Sequence, residues 1–445
     1  MRGYALADSE LVSFDRQFRA RCRVQRPDRY RLLDALPADA PRIARGGGVS
    51  YVGASFGNDA ISQEFGAFDR LLAFDAERGL LTVEAGARVG GLQRFALAHG
   101  WYLPVTPGHP KASVGGCIAA DVHGKNPARD GTFRGWVEAI ELQSPARPHA
   151  IASERQNAEL FAATFAGFGL TGTLTRVTLR LARPPSALVL RRVPVRDLAE
   201  AAKVLRDAAN APVLYGWHDG RPGRFGRGVI RIGLVDDAAA SAAPASKPPP
   251  AARDLPAALK PLPIALWNRA GIAAANTWLG ARWCRPGQAP MTLSEALFPL
   301  NGARTYFAGY GQAGLAEAQW LLPHVRFDAF ADALRELVER DRPRIALIAS
   351  KLFAGVADGL RFDGNGISLA IQVPAPALSG QRAFLEALAE LALGHGGRPN
   401  LIKESTLDGS VARRAFAGFA DARARLAAHN PGGLHTSELA RRIGL

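Results

Sequence analysis

Apolar and polar residues alternate with a period of two in many short stretches of this chain, and helical spacing fills the gaps between them. LLAFD (71–75) and LLTVEA (80–85) read as two strands joined by a turn at Glu77-Arg78-Gly79. VGGLQRFALAH (89–99) has helical spacing and stops at Gly100, a residue suited to a helix C-cap. Strands are predicted at 136–143 and 173–182, around a helix near 157–165. Arg183-Pro184-Pro185 marks a break. Beyond it 188–195, 211–219 and 226–235 read as strands with a helix at 199–210 among them, the start of a second, sheet-based domain. Strand-like patterning returns over 304–323, followed by a helix at 327–340, strands at 344–352 and 367–373, and a helix at 380–393. Residues 1–40 are polar and arginine-rich with a helical-looking RYRLLDAL, and 410–445 is helical before it ends in HNPGGLHTSELARRIGL. The sum is an α+β chain of short strands, without the GxGxxG-opened βαβ unit of a Rossmann dinucleotide site.

Two stretches stand outside this pattern. Residues 237–263 are dominated by alanine and proline, cannot pack a core, and are predicted to form a mobile loop. Residues 264–285 are apolar, carry Trp267, Trp278 and Trp283, and are interrupted by Arg269 and Arg282. That composition suits either a buried helix or an interfacial segment.

Composition narrows the partners. The 445-residue chain is 48% hydrophobic and carries a net charge of +15, which favours an anionic partner. Its basic residues are mostly arginine and are dispersed, with no zinc-finger spacing or helix-turn-helix cue, so nucleic acid is disfavoured. Cys22, Cys117 and Cys284 are far apart and form neither a disulfide framework nor a metal set, so no metal is expected. The first residues lack a secretory apolar run and no stretch is long enough to span a membrane, so a cytoplasmic or peripheral membrane location is expected.

The candidate chemistry lies in glycine clusters. ARGGGVSYVGASFG (44–57) follows a short apolar run, as a phosphate-binding turn does. PVTPGHPKASVGGCIAADVHGKNPARDGTF (104–133) is denser still, and GFGLTG (167–172) adds a third turn. Glycine lets a backbone approach a ligand closely, and turn N–H groups bind phosphate.

The order of these clusters resembles the flavin-binding half of the vanillyl-alcohol oxidase / p-cresol methylhydroxylase superfamily. Within it, VGGCIAADVHGKN resembles the oxidase subunits of decaprenylphosphoryl-β-D-ribose 2′-epimerases. FGRGVIRIG (225–233), AGYGQAGLAEAQWLLP (308–323), NLIKES (400–405) and HTSELARRIGL (435–445) carry the likeness across nearly the whole chain. The resemblance implies a two-subdomain FAD-binding domain over 1–184 and a substrate domain, an antiparallel sheet flanked by helices, over 185–399. A C-terminal segment, 400–445, would return to the FAD domain. It also implies oxidation of a secondary hydroxyl on an anionic, lipid-linked sugar by hydride transfer to FAD, with a short-chain reductase as possible partner.

On this resemblance Gly46, Gly47, Gly48, Ser50 and Tyr51 would bind the pyrophosphate, and Gly108, Gly115, Gly116 and Ala119 would line the isoalloxazine and ribityl chain. Leu170, Thr171 and Gly172 would close on the adenosine, while His123, Gly124, Lys125 and Asn126 sit where flavin meets substrate. Lys403 would stand at the flavin pyrimidine edge, with His123 and Lys125 as its catalytic companions. A fixed ammonium there stabilises the charge that reduced flavin acquires. Gln319, Lys351, Tyr310 and Asn400 would bind substrate. Val49 occupies the place of the histidine that links covalently to flavin in other members, so FAD is expected to be non-covalent. Asn400 replaces a tyrosine and Ala370 a pocket cysteine, which leaves the substrate open. A soluble alditol or aldonolactone oxidase, and a non-catalytic flavin-binding scaffold, are the alternatives.

Overall fold

In the computed structural model, which describes residues 5–236, 261–299, 304–375 and 380–445, the first 184 residues build two sheets. One has the strand order Ala7–Val12, Arg19–Gln25, Ile61–Glu64, Arg42–Arg45, with Ile61–Glu64 parallel to both neighbours. Its first two strands lie in the stretch read as merely polar. Ala20, Cys22 and Val24 point inward while Arg19, Arg21 and Arg23 point outward, so exposed arginines disguised a strand alternation. RYRLLDAL makes a 3-10 turn, Tyr30–Ala35, rather than an α-helix, and buries Leu32 and Leu33.

The second sheet is antiparallel, in the order Leu71–Asp75, Leu80–Glu84, Thr173–Arg180, Val137–Ser144, Arg147–Ala152. Helices Val89–Ala98 and Val114–Ala119 share a core with it through Leu92, Cys117, Ile118, Val177 and Leu179. Gly115 and Gly116, expected in an open wall, lie in the first turn of the second helix. Ser113 caps that helix by accepting the Gly116 N–H at 3.2 Å. A Cβ on Gly115 would come within 3.1 Å of the Ala85 carbonyl, so this glycine serves helix-on-sheet packing.

The third sheet is antiparallel throughout. Its order is Gly287–Met291, Leu188–Val195, Gly228–Val235, Val213–His218, Leu347–Ala354, Asn365–Pro374, Leu315–Pro323, Arg398–Pro399. Helices Leu198–Asp207, His324–Asp341 and Gln381–Gly394 cover one face, burying Ile230, Ile232, Trp320, Leu334, Ile371 and Leu388. The 304–323 stretch is not all strand. A short helix, Arg304–Ala308, and a turn with Gly311 and Gly314 at φ +68° and +77° precede the strand. Positive φ costs glycine little and other residues more.

The C-terminal segment runs back to the first domain. The Arg42 N–H donates to the Leu434 carbonyl at 2.8 Å and the Glu438 N–H to the Phe56 carbonyl at 2.8 Å. Leu401, Phe416, Leu439 and Ile443 share a core with Val52, Phe168 and Leu170. Residues 237–260 of the expected mobile loop lie outside the described residues. The tryptophan-bearing stretch forms helix Arg269–Trp283, burying Ile272 and Asn276 and leaving Trp278 65% exposed. No helix among the described residues is long and apolar enough to cross a membrane.

Candidate active site

Strand alternation gives the large sheet a second face, turned away from the three helices, with side chains two apart pointing the same way. Register sets Glu317 opposite Gln372, Gln319 opposite Ala370, and Lys351 opposite Ser368. Their strand neighbours Ala318, Trp320, Leu369 and Ile371 point the other way, into the helix-covered core. Tyr215 and Trp217 continue the same face on the next strand.

The 123–126 loop of the first domain meets this face. Gln319 donates Nε2–H to His123 Nε2 (3.1 Å) and to Ser368 Oγ (3.0 Å), while Asn400 Nδ2 donates to Gln319 Oε1 (2.8 Å). His123 therefore carries its proton on Nδ1, which lies 3.2 Å from both the Gly124 carbonyl and Lys351 Nζ. Lys351 donates to the Gly124 carbonyl at 2.7 Å. Burial, with Lys351 and Lys403 nearby, holds the His123 imidazole well below its usual range. The ring is thus neutral and positions its neighbours. Burial first, then Lys125 and Lys403, drives Lys351 well below the usual ammonium range.

Lys403 pairs with Glu317 at 2.6 Å and lies 5.4 Å from the Tyr51 ring centroid. The other Glu317 oxygen accepts from Gln372, whose amide oxygen accepts from Tyr306 and Tyr310, and the two tyrosine hydroxyls are 2.7 Å apart. Glu404 accepts the Gln319 backbone N–H at 2.6 Å, and burial pushes its carboxyl well above the usual range. Glu317, Ser368, Gln372, Tyr306 and Glu404 were not singled out from the sequence. Polar residues two apart on the otherwise apolar strands LAEAQWLLP and ISLAIQV were the available signal for Glu317 and Ser368.

The remaining predicted residues separate into two groups. Gly46 and Gly47 face the 111–113 segment, where a Cβ would fall 1.9 Å from Ser113 Oγ and 2.2 Å from the Lys111 carbonyl. Gly48 has φ +65°, and Ser50 Oγ accepts the Val52 N–H at 3.3 Å. Gly46 and Gly47 let their loop close on the 111–113 loop. Gly108 is exposed, and a Cβ there would be 3.7 Å from Lys125 Nζ. The other group is occupied internally. Asn126 Nδ2 donates at 2.7 Å to the Ala209 and Ala211 carbonyls and so braces the two domains, while its Oδ1 is buried without a partner among the described residues. Thr171 Oγ1 lies 3.0 Å from Thr164 Oγ1, Leu170 is in the core, and Gly172 passes the Gln143 carbonyl. The Ala119 carbonyl accepts the Phe168 N–H at 2.9 Å.

The arrangement fits an anionic occupant such as FAD. Lys125 is buried, with no hydrogen-bond acceptor among the described residues, 6.0 Å from the Tyr215 ring centroid. The Thr106 and Tyr215 hydroxyls are buried and unpartnered. Lys125, Lys351 and Lys403 converge around the Glu317 carboxylate; burial and their mutual repulsion hold the first two toward the neutral amine, and an anionic group beside them would favour the charged forms.

Burial and Lys403 lower Lys125 to about 7. Because this is below the ordinary lysine value near 10.4, the unfolded chain binds more protons above pH 7, and the cost of burying Lys125 shrinks as pH rises. Lys125→Met is therefore expected to stabilise the flavin-free protein fully below about pH 7, with the gain diminishing as pH rises toward 9. Thermal melts of both proteins across that window check this. A pH-independent difference would remove Lys125 as the titrating group.

A family model for an FAD-binding domain matches residues 32–146. The fold and this match define the chain as a FAD-dependent oxidoreductase, and it belongs to the vanillyl-alcohol oxidase / p-cresol methylhydroxylase superfamily. It is 27% identical over 416 residues to decaprenylphosphoryl-beta-D-ribose oxidase of Mycolicibacterium smegmatis, covering 91% of this chain and 89% of that protein. It is 30% identical over 379 residues to a Streptomyces coelicolor protein described as an uncharacterized protein in the mprA 5′ region, covering 80% of this chain and 99% of that one. A mitochondrial L-galactono-1,4-lactone dehydrogenase of Oryza sativa subsp. japonica is 31% identical over 112 residues, 25% of this chain and 19% of that protein.

Proposed function

We propose that the protein oxidises a secondary hydroxyl of a phosphorylated, polyprenyl-linked sugar to a ketone, the first half of an epimerisation. The observation that carries this reading is the convergence of Lys403, Lys351 and Lys125 with His123 and Gln319 on the sheet face opposite the helices. FAD, when bound, would accept the hydride from the carbinol carbon, and the hydroxyl proton would pass to the Lys125 amine, which burial and Lys403 lower to about 7. Lys403, held by Glu317 beside Tyr51, supplies the positive charge that stabilises the reduced cofactor. Gln319 and Asn400 form an amide pair whose orientation His123 and Ser368 fix, and this pair orients the sugar. Likeness to decaprenylphosphoryl-beta-D-ribose oxidase over 91% of the chain favours a lipid-linked pentose over the free lactone suggested by the 25% match.

The test is anaerobic incubation with a prenyl-phosphoryl pentose, followed by borodeuteride. Deuterium at one secondary carbon, in both epimers, is expected; an unlabelled pentose contradicts the reading. FAD is proposed to be non-covalent, since Val49 packs with the core and offers no nucleophile. Acid precipitation should release all the flavin, and flavin retained in the pellet would overturn this. A short-chain reductase partner would return hydride to the ketone from the opposite face; unchanged ketone after adding such a reductase with its nicotinamide cofactor counts against it. Ile264, Leu266 and Trp278, which are 74%, 44% and 65% exposed, favour peripheral membrane contact. Co-sedimentation with anionic vesicles checks this, and its absence would count against it.

A further inference from the structure

The sheet face opposite the helices does not end at Lys351 and Tyr215, which flank the paired residues Ser350 and Gly216. One row further on, Trp217 lies opposite Val229, and Val229 opposite Pro194. Strand rise makes the separation of these rows about 7 Å. At this second row a cavity of about 380 Å³ opens beside helix Arg269–Trp283, with Pro194, Trp217, Arg224, Arg227 and Asn276 among its lining residues.

The cavity is rich in donors. Asp219 lines it, but its carboxylate already accepts from Arg221 Nε at 2.9 and 3.0 Å, from Arg221 Nη2 at 2.6 Å, and from Asn276 Nδ2 at 3.2 Å. Arg224 reaches Asp219 only at 3.6 Å, and the Arg227 guanidinium has no acceptor among the described residues. The Trp217 indole N–H is buried and unpartnered, although the residue is only 4% exposed. Arg231 lies opposite Tyr215 in the first row, 5.4 Å from the centroids of Tyr215 and Trp283, and its Nε is also buried without a partner. Arg224, held by Asp219 through one long ion pair, and Arg227 leave guanidinium N–H groups to spare at the cavity, and these match the oxygens of a phosphate, which arginine binds through charge-assisted, often bidentate bonds. A glycosyl phosphate separates its phosphorus from the neighbouring ring carbons by a few bonds. The sugar and phosphate subsites must therefore adjoin on one surface, as these rows do.

We propose that this cavity is a phosphate subsite, in which Arg224 and Arg227 hold the phosphate that joins the sugar to its lipid carrier. The assignment rests on the proposed oxidation of a phosphorylated sugar. It directs the sugar over Tyr215 toward Lys351 and His123, and the carrier outward beside the Arg269–Trp283 helix.

The test is isothermal titration of the FAD-loaded enzyme with farnesyl phosphate, farnesol and inorganic phosphate. The comparison is between the parent, Arg224→Ala/Arg227→Ala and Arg224→Lys/Arg227→Lys. Farnesyl phosphate is expected to bind the parent, to bind the alanine variant at least about tenfold more weakly, and to recover in part with lysine. Farnesol is expected to bind all three weakly and alike. An unaltered flavin spectrum and thermal midpoint show that the variants are folded. Equal farnesyl phosphate binding by parent and alanine variant, or no binding by the parent, overturns the assignment. Inorganic phosphate binding as tightly as farnesyl phosphate, with the same arginine dependence, also overturns it by making the cavity a free-phosphate site. The titration reads binding without turnover, so failure of the sugar-oxidation reading leaves its outcome independent.

Discussion

Lys403→Ala is expected to keep its FAD and to lose flavin reduction by substrate by about 10²–10³-fold, the scale seen when one preorganised donor to a developing anion is removed. The partners of the lysine side chain are the Glu317 carboxylate at 2.6 Å and the Tyr51 ring. Alanine nevertheless leaves Glu317 buried without its countercharge, which can cost several kcal/mol of stability in its own right. Lys403→Met/Glu317→Gln separates the two effects. It removes the lone charge, leaves Gln372 a partner at position 317, and should restore stability without restoring reduction. Single-turnover bleaching of the flavin, recorded with thermal melts, reads both. Near-normal bleaching by Lys403→Ala would remove the lysine from the chemistry.

Arg361→Ala is expected to cost about 3–5 kcal/mol of stability, the range for removing one partner of a buried ion pair. Arg361 Nε meets Asp121 Oδ2 at 2.6 Å, and Arg361 Nη2 donates to Thr132 Oγ1 at 2.7 Å. The side chains of Asp121 and Arg361 are 0% and 14% exposed, so water compensates neither. This pair ties the substrate domain to the loop that carries His123 and Lys125. Its loss should also raise KM more than it lowers kcat, because it loosens the wall and leaves Lys403 in place. Adding Asp121→Asn should return most of the stability, since the uncompensated carboxylate is gone and Asn tolerates the φ of +41° at that position. Denaturant unfolding of the three proteins measures this. A loss below about 1 kcal/mol would mean that the pair behaves as an exposed one.

The glycine clusters and the strand alternation beyond residue 71 made the fold legible in the sequence. The alternation at residues 19–24 was equally regular, yet arginine at each outward position made the stretch read as polar coil. Gly115 and Gly116 showed that backbone approaches closely, without showing to what: the neighbour of Gly115 is the Ala85 carbonyl of the protein itself. The family resemblance, rather than residue spacing, brought Lys403, Gln319 and Lys351 together. Glu317 was missed because an acidic residue on a buried strand acquires meaning only once Lys403, 86 residues away, is placed beside it. Asn126 sits in the most specific motif of the chain and still acts as a brace, because the Ala209 and Ala211 carbonyls that claim it belong to the other domain.

The account is tested most directly by anaerobic titration of the purified yellow protein, following the oxidised-flavin absorbance. Stoichiometric bleaching by a prenyl-phosphoryl pentose, with none by free alditols or aldonolactones at the same concentration, is the result it predicts. Bleaching by the free polyols alone, or by neither, would contradict it.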